Sequence, residues 1–300
     1  MEQFLEILSK PDNIPIVGLL VSVIFFTWFA VKKGRRNDAQ GFPVESTMDD
    51  KVQVWPYLVR VEFLATIAVM AVLLIWSITL DAPLEEAANR ALTPNPSKAP
   101  WYFLGLQEML VYFDPWIAGV VLPTLIIVGL MAIPYVDINP KGNGYYTYKE
   151  RKFAILTFCF GFLVLWVFLI FLGTFMRGPG WNFFLPGEKW DPHYVAVLTN
   201  VNLSEYIGIA TKFPDGSLNP VAFVFGAACV FGFYSIGPLY WLKNRKTDLL
   251  KKLGLTRYAV VSFLFLSMMG LVVKILLRLV PTFMGMNPVK YVWVTPWFNV

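Results

Sequence analysis

The residues of this sequence best suited to chemistry lie close together, between Trp101 and Tyr112. Trp101, Leu104 and Glu108 recur at helical spacing, so they and Tyr112 are expected along one stripe of a helix. The longer stretch 93–137 joins a Pro-rich loop, this aromatic half-helix and an apolar run. Such a stretch could meet a lipid-soluble substrate at the edge of a bilayer.

The segments around this stripe have recognisable local signals. Pro94, Pro96 and Pro100 stiffen the preceding loop, because proline fixes φ and favours extended geometry in the residue before it. At about 13 residues, the helix 101–113 is too short to span a bilayer, so it is expected to lie in the outer interface. Asp114 is the predicted N-cap of the next helix.

The composition indicates a membrane protein. Hydrophobic residues make up 57% of the 300 residues and charged residues 15%, whereas a soluble domain has roughly 25% charged residues. The net charge of +5 suggests a nucleic-acid partner at first sight. We reject that partner because the basic residues form short clusters between apolar runs, where topology signals belong.

Six apolar runs are long enough for a hydrocarbon core that needs about 20 helical residues. The predicted spans are 14–31, 58–80, 116–135, 153–175, 221–242 and 258–280. They predict an all-α, polytopic membrane helix bundle with the short interfacial helix on its outer side. Lys and Arg concentrate in 32–60, 141–152 and 243–257, which predicts that these loops are cytoplasmic and that both termini lie outside.

The sequence offers few metal ligands. Cys159 and Cys229 lie in apolar runs without a Cys-x-x-Cys spacing, so they are interpreted as small buried residues. The chain has one histidine, His193, and cannot supply the two axial ligands of a bis-His haem. We therefore predict no metal site and no haem ligand in this chain.

At Ala99-Pro100-Trp101-Tyr102 the chain resembles the C-terminal half of cytochrome b, which is a separate protein, subunit IV, in photosynthetic complexes. The family motif Pro-Glu-Trp-Tyr corresponds here to Ala-Pro-Trp-Tyr, and the motif lies in the same helix-loop-helix arrangement. Without this resemblance, Trp101 and Tyr102 would fit an interfacial aromatic belt. The chain is similar in particular to the split cytochrome b subunits of bacterial menaquinol-oxidising complexes.

The resemblance implies a division of the chain into three parts. An additional N-terminal transmembrane helix and inner loop occupy 1–54, and a core like the C-terminal half of cytochrome b, with the quinol-site loop, occupies 55–175. A long outer loop and two further transmembrane helices occupy 176–300.

The resemblance also implies a function in respiratory electron transport. The chain would be a non-haem-ligating subunit of a bc-type quinol:cytochrome c oxidoreductase in the bacterial inner membrane. It would help to form the periplasmic pocket in which a quinol, here menaquinol, is oxidised. The implied partners are a cytochrome b subunit that carries haem b, a Rieske iron-sulfur protein, a c-type cytochrome and membrane lipid. The implied quinol-binding residues are Pro100, Trp101, Tyr102 and Leu104.

In the family, the glutamate of the motif is assigned as the acceptor of a quinol proton. Its position is occupied here by Pro100, which has no titratable group. Glu108 is predicted to replace it as the catalytic proton acceptor, which requires an approach of about 2.6–3.2 Å or one bridging water. The alternative for Glu108 is a solvated interfacial carboxylate. Weaker candidates for the proton acceptor are Asp114, Glu85, Glu86 and His193.

Other readings of the sequence stay open. A structural membrane anchor that docks periplasmic electron-transfer subunits without a working quinol site would fit the missing glutamate and the aromatic loop 177–193. Lys274 and Arg278 lie one turn apart near the outer end of the last span, where either snorkelling or binding of lipid or a partner would explain them. A transporter is disfavoured, because the first five spans carry almost no mid-membrane charge and no inverted repeat is evident.

Overall fold

The computed structural model describes residues 2–11, 13–41, 53–81, 87–91, 93–138, 146–190 and 199–300. Its helices are α1 (Glu2–Ser9), α2 (Ile14–Gln40), α3 (Val54–Thr79), α4 (Leu104–Tyr112), α5 (Ile117–Val136), α6 (Lys152–Met176), α7 (Leu203–Tyr206), α8 (Pro220–Asn244) and α9 (Asp248–Phe283). Among these described helices, α2, α3, α5, α6, α8 and α9 are the six that are long and apolar enough to cross a membrane. The predicted all-α, polytopic architecture is confirmed.

Each of these six helices overlaps a predicted span, and the differences at their ends have local causes. Helix α2 continues past its apolar run to Gln40 and is followed by Gly41, whose φ of 64° is the left-handed conformation that often closes a helix. Helix α9 starts at Asp248, but it is interrupted at Gly254, where φ is 75° and ψ is 167°. The uninterrupted part of α9 therefore begins close to the boundary expected from hydropathy.

Contacts between Cα atoms divide the chain into two compact units. The first comprises Met1–Pro94, Asn139–Thr157 and Leu185–Lys189. Within this unit, Asp38 near the end of α2 accepts hydrogen bonds from the N–H groups of Tyr148 and Lys149, at 3.0 and 2.8 Å. All of α3 is described, and none of its residues is buried. Its apolar surface is therefore available to lipid or to a partner helix.

The second unit comprises Asn95–Ile138, Phe158–Phe184 and Trp190–Val300. In its core, α4 packs with α5, α6 and α9. The buried residues of this core are Met109, Tyr112, Phe113, Ala118, Leu169 and Ile275. Helix α4, although too short to span a bilayer, is therefore held firmly by three longer helices.

Helix α8 approaches the C-terminal segment closely at Gly226. A Cβ atom at this position would lie 2.7 Å from the Trp293 ring and 2.8 Å from the Trp293 Cα atom. Backbone atoms cannot swing away as a flexible side chain can, so Gly226→Ala should lower the stability by about 1–3 kcal/mol. Gly232→Ala in the same helix is the control, because nothing lies within 4 Å of that position. Thermal denaturation in detergent measures both variants, and equal melting temperatures would contradict the prediction.

Candidate functional site

The motif residues form an exposed step on the second unit, Pro100–Phe103, which we call the aromatic ledge. Residues Trp101–Phe103 make one tight helical turn that leads directly into α4. Tyr102 and Phe103 are 51% and 49% exposed, Pro100 is exposed and Trp101 is half-buried. The rings of Trp101 and Tyr102 meet edge to face, with centroids 5.7 Å apart. The ledge thus exposes aromatic side chains on the surface of the second unit.

Hydrogen bonds hold the loop that precedes the ledge. Gln107 of α4 accepts from the N–H of Ala99 and donates to the carbonyl of Ser97, both at 2.9 Å. The ammonium of Lys98 donates to the carbonyl of Thr174 at 2.8 Å. The loop is therefore fixed both to α4 and to the C-terminal end of α6, so little conformational freedom is left to lose when a ligand binds.

Glu108 is the point at which α4, the end of α6 and the following loop are joined. Its Oε1 accepts from the Tyr112 hydroxyl at 2.8 Å and from Nη2 of Arg177 at 2.6 Å. Its Oε2 accepts from Nε of Arg177 at 3.0 Å and from Nε1 of Trp181 at 3.2 Å. Arg177 also donates through Nη1 to the carbonyl of Trp181 at 3.0 Å. The two bonds from Arg177 to the Glu108 carboxylate form a bidentate pair, which is the strong form of a charged hydrogen bond.

This ion pair lies inside the protein, with the Glu108 side chain 0% exposed and the Arg177 side chain 6% exposed. Burial raises the pKa of the Tyr112 phenol far above its usual value, and the negative charge of Glu108 raises it further. Burial acts to lower the pKa of Arg177, but the charge of Glu108 outweighs it and the pKa is raised. Tyr112 and Arg177 thus remain protonated and donate to Glu108. The alternative of a solvated interfacial carboxylate is wrong for Glu108.

The loop after α6 is bent tightly around this pair. Gly180 and Trp181 both have positive φ, of 66° and 58°, and for a bulky side chain this conformation costs about 1–3 kcal/mol. A Cβ atom at Gly178 would lie 2.6 Å from the Phe184 ring. The N–H of Gly180 donates to Asn95 Oδ1 at 2.6 Å. The strained Trp181 is therefore held in place by its contacts with Glu108 and Arg177.

The other predicted site residues have separate positions. Leu104 is 3% exposed, and a Cβ atom at Gly173 would lie 3.3 Å from the Leu104 Cβ, so Leu104 packs inside the chain behind the ledge. Asp114 is a cap, as predicted, because its Oδ1 accepts from the N–H of Trp116 at 3.2 Å. Glu85, Glu86 and His193 lie outside the described residues.

Arg177 and Trp181 are site residues that the sequence does not indicate by spacing. Arg177 lies 69 positions from Glu108, and no helical period relates residues so far apart. A weaker signal exists in the topology, because the helix 101–113 and the end of the fourth span are both predicted on the outer side. Arg177 is therefore the first cation after that span on the side where Glu108 needs a partner.

Comparison with known proteins gives one match. The family model described as cytochrome b(C-terminal)/b6/petD matches residues 87–177. No curated protein and no solved structure matches the chain. The matched range contains the aromatic ledge and both partners of the buried ion pair, Glu108 and Arg177. The resemblance found at the ledge is thus confirmed: residues 87–177 are similar to the cytochrome b C-terminal family, a type of domain that occurs in membrane subunits of cytochrome bc and b6f complexes.

Proposed function

We propose that this protein is a membrane subunit of a bc-type quinol:cytochrome c oxidoreductase and forms part of the quinol-oxidation pocket on the periplasmic side. One observation carries the proposal. The aromatic ledge is exposed and yet braced by Gln107 and Lys98, and it lies within the matched region of the cytochrome b family. A rigid, accessible aromatic surface suits the flat head group of a quinol.

Within this pocket, Pro100 and Trp101 supply apolar contact, and the Tyr102 hydroxyl donates a hydrogen bond to a quinol oxygen. Tyr102 is the most exposed of the three aromatic side chains of the ledge, at 51% against 49% for Phe103, while Trp101 is half-buried. Because Leu104 is buried, a direct contact with the quinol would require the ledge to shift. Its proposed role in quinol binding is therefore mainly to support Trp101 and Tyr102.

Glu108 remains the proposed proton acceptor, and its surroundings define what that role requires. Both oxygens already accept hydrogen bonds, whereas a quinol proton must come within about 2.6–3.2 Å or reach the carboxylate through one water. The indole of Trp181 is the donor that we expect to leave. Its bond of 3.2 Å is longer than the 3.0 Å bond from Arg177 Nε to the same oxygen. Its release would also relieve the strained backbone of Trp181.

The haem of such a complex is proposed to belong to a partner. Among the described residues, no group of three or more His, Cys, Asp or Glu side chains is arranged to hold a metal ion, and the sequence has a single histidine. The proposed partners are a cytochrome b subunit with haem b, a Rieske iron-sulfur protein and a c-type cytochrome. The proposed substrate is menaquinol, in a bacterial inner membrane, with both termini on the periplasmic side according to the distribution of basic residues.

Purification of the full chain with its native partners tests the proposal. We expect a b-type haem spectrum, with the haem assigned by mass to another subunit, and saturable binding of a quinol-site inhibitor. Haem bound to this chain alone, or a chain that purifies without any haem-bearing companion, would contradict the proposal.

A structural membrane anchor is the second candidate function. It is favoured by the replacement of the motif glutamate by Pro100 and by the complete burial of Glu108, since neither residue offers an accessible base. An anchor would dock periplasmic electron-transfer subunits without binding quinol. Quinone or inhibitor found in contact with Pro100 or Tyr102 would decide against it.

A further inference from the structure

Lys274 and Arg278 lie one turn apart near the C-terminal end of α9. Lys274 is 5% exposed, and its ammonium donates to the carbonyl of Lys290 at 2.7 Å. The same ammonium lies over the rings of Phe113 and Tyr291, 5.4 and 5.7 Å from their centroids. Lys274 is thus enclosed by protein and does not snorkel to the headgroup layer.

Arg278 differs from the well-paired Arg177. Its Nη1 atom is buried without a hydrogen-bond partner, and its guanidinium forms no hydrogen bond or ion pair within the part of the chain that the structure describes. The residue as a whole is half-buried. Only Nη1 is sealed from the surface and unsatisfied, so the remaining N–H groups can be reached by a ligand.

Cations outnumber carboxylates around Arg278. The carboxylate of Glu108, which lies within its electrostatic reach, is already paired with Arg177. Among the described residues, the carboxylates of this cluster are Glu108 and Asp114, and its cations are Arg177, Lys274, Arg278 and Lys290, whose ammonium lies 5.1 Å from the centroid of the Tyr291 ring. A half-buried charge without a partner is costly in a membrane protein unless an anion approaches it.

We propose that Arg278, supported by the field of Lys274, binds the phosphodiester group of an acidic phospholipid. Arg278 precedes the last residue of α9, Phe283, by five positions, or about 7.5 Å at 1.5 Å per residue, which is close enough to reach the headgroup layer. The guanidinium fork matches the geometry of phosphate oxygens. A phosphodiester gives Arg278 the anionic partner that it lacks among the described residues, and an acidic headgroup, unlike phosphatidylcholine, brings no choline cation into this cationic cluster. The proposal does not depend on quinol binding at the aromatic ledge.

The test uses the full chain in its complex with partner subunits. The complex is stripped of lipid with detergent and offered phosphatidylglycerol or phosphatidylcholine, and bound lipid is counted by native mass spectrometry. We expect one retained phosphatidylglycerol per chain and weaker retention of phosphatidylcholine. Arg278→Gln should weaken retention about tenfold or more, the factor expected for a charge-assisted hydrogen bond. The control is Lys212→Gln, which removes the same charge from an exposed position and should leave retention unchanged.

Other results would overturn the proposal. These are equal retention by the wild type and Arg278→Gln, equal retention of both lipids, or displacement of the lipid by inorganic phosphate alone at the same concentration. Crosslinking of position 278 to a carboxylate of another subunit, without bound lipid, would assign Arg278 to a subunit interface instead. If Arg278→Gln fails to assemble, Arg278→Lys keeps the charge but loses the fork, and it should still retain less phosphatidylglycerol than the wild type.

Discussion

Glu108→Leu should destabilise the protein by about 3–5 kcal/mol, the cost of removing one partner from a buried ion pair. The substitution leaves the Arg177 guanidinium, which is 6% exposed, without its carboxylate. It also removes the acceptor for the Tyr112 hydroxyl and the Trp181 indole. Because those donors belong to α4 and the loop after α6, we expect the loop to detach before the helices separate. Thermal denaturation in detergent and limited proteolysis after Arg177 measure the two effects.

The double variant Glu108→Leu with Arg177→Met is the matched control. Each single variant leaves a buried charge or an unsatisfied donor, whereas the double variant leaves neither charge, so it should recover much of the lost stability. A single Glu108→Leu variant that melts like the wild type, or strictly additive losses in the double variant, would show that the pair contributes little.

Glu108→Gln separates the structural role of this residue from its proposed role in proton transfer. Glutamine keeps the length and one oxygen acceptor, but it cannot accept a quinol proton. We expect slower quinol oxidation and an altered pH dependence of the rate. A lower melting temperature with an unaltered pH profile would exclude Glu108 as the proton acceptor and leave it as the anchor of the Arg177 loop.

The six spans were predictable because each is an apolar run of membrane length, and the cap at Asp114 because capping depends only on neighbouring residues. The helical stripe of Leu104, Glu108 and Tyr112 was predictable for the same reason. The direction in which this stripe faces was not predictable. All three residues are buried inside the protein. That direction depends on the neighbouring helices: Gly173 of α6 makes room for Leu104, and Arg177 neutralises Glu108. Hydropathy and periodicity carry no information on contacts between residues so far apart in the chain.

The aromatic ledge gives the second large effect that we expect, on catalysis instead of stability. In the assembled complex, Trp101→Ala should slow quinol oxidation by roughly tenfold or more, because it removes a large apolar contact and the edge-to-face packing that orients Tyr102. Tyr102→Phe should cost about 0.5–1.5 kcal/mol, the usual value of one neutral hydrogen bond, and it should appear mainly as a higher KM for quinol. Steady-state kinetics and inhibitor titration measure both variants.

Trp297→Ala is the control for the loss of an indole, because Trp297 is 82% exposed and lies outside both the ledge and the Glu108 contacts. It should leave turnover and inhibitor binding unchanged. Because Tyr102 is about half exposed, its hydroxyl can be removed without opening a cavity, so Tyr102→Phe tests recognition of the quinol separately from folding. Unchanged kinetics and inhibitor affinity in both ledge variants would remove the ledge from the pocket and favour the structural anchor. A selective rise in KM for Tyr102→Phe, with normal haem content, would instead place the quinol against this surface.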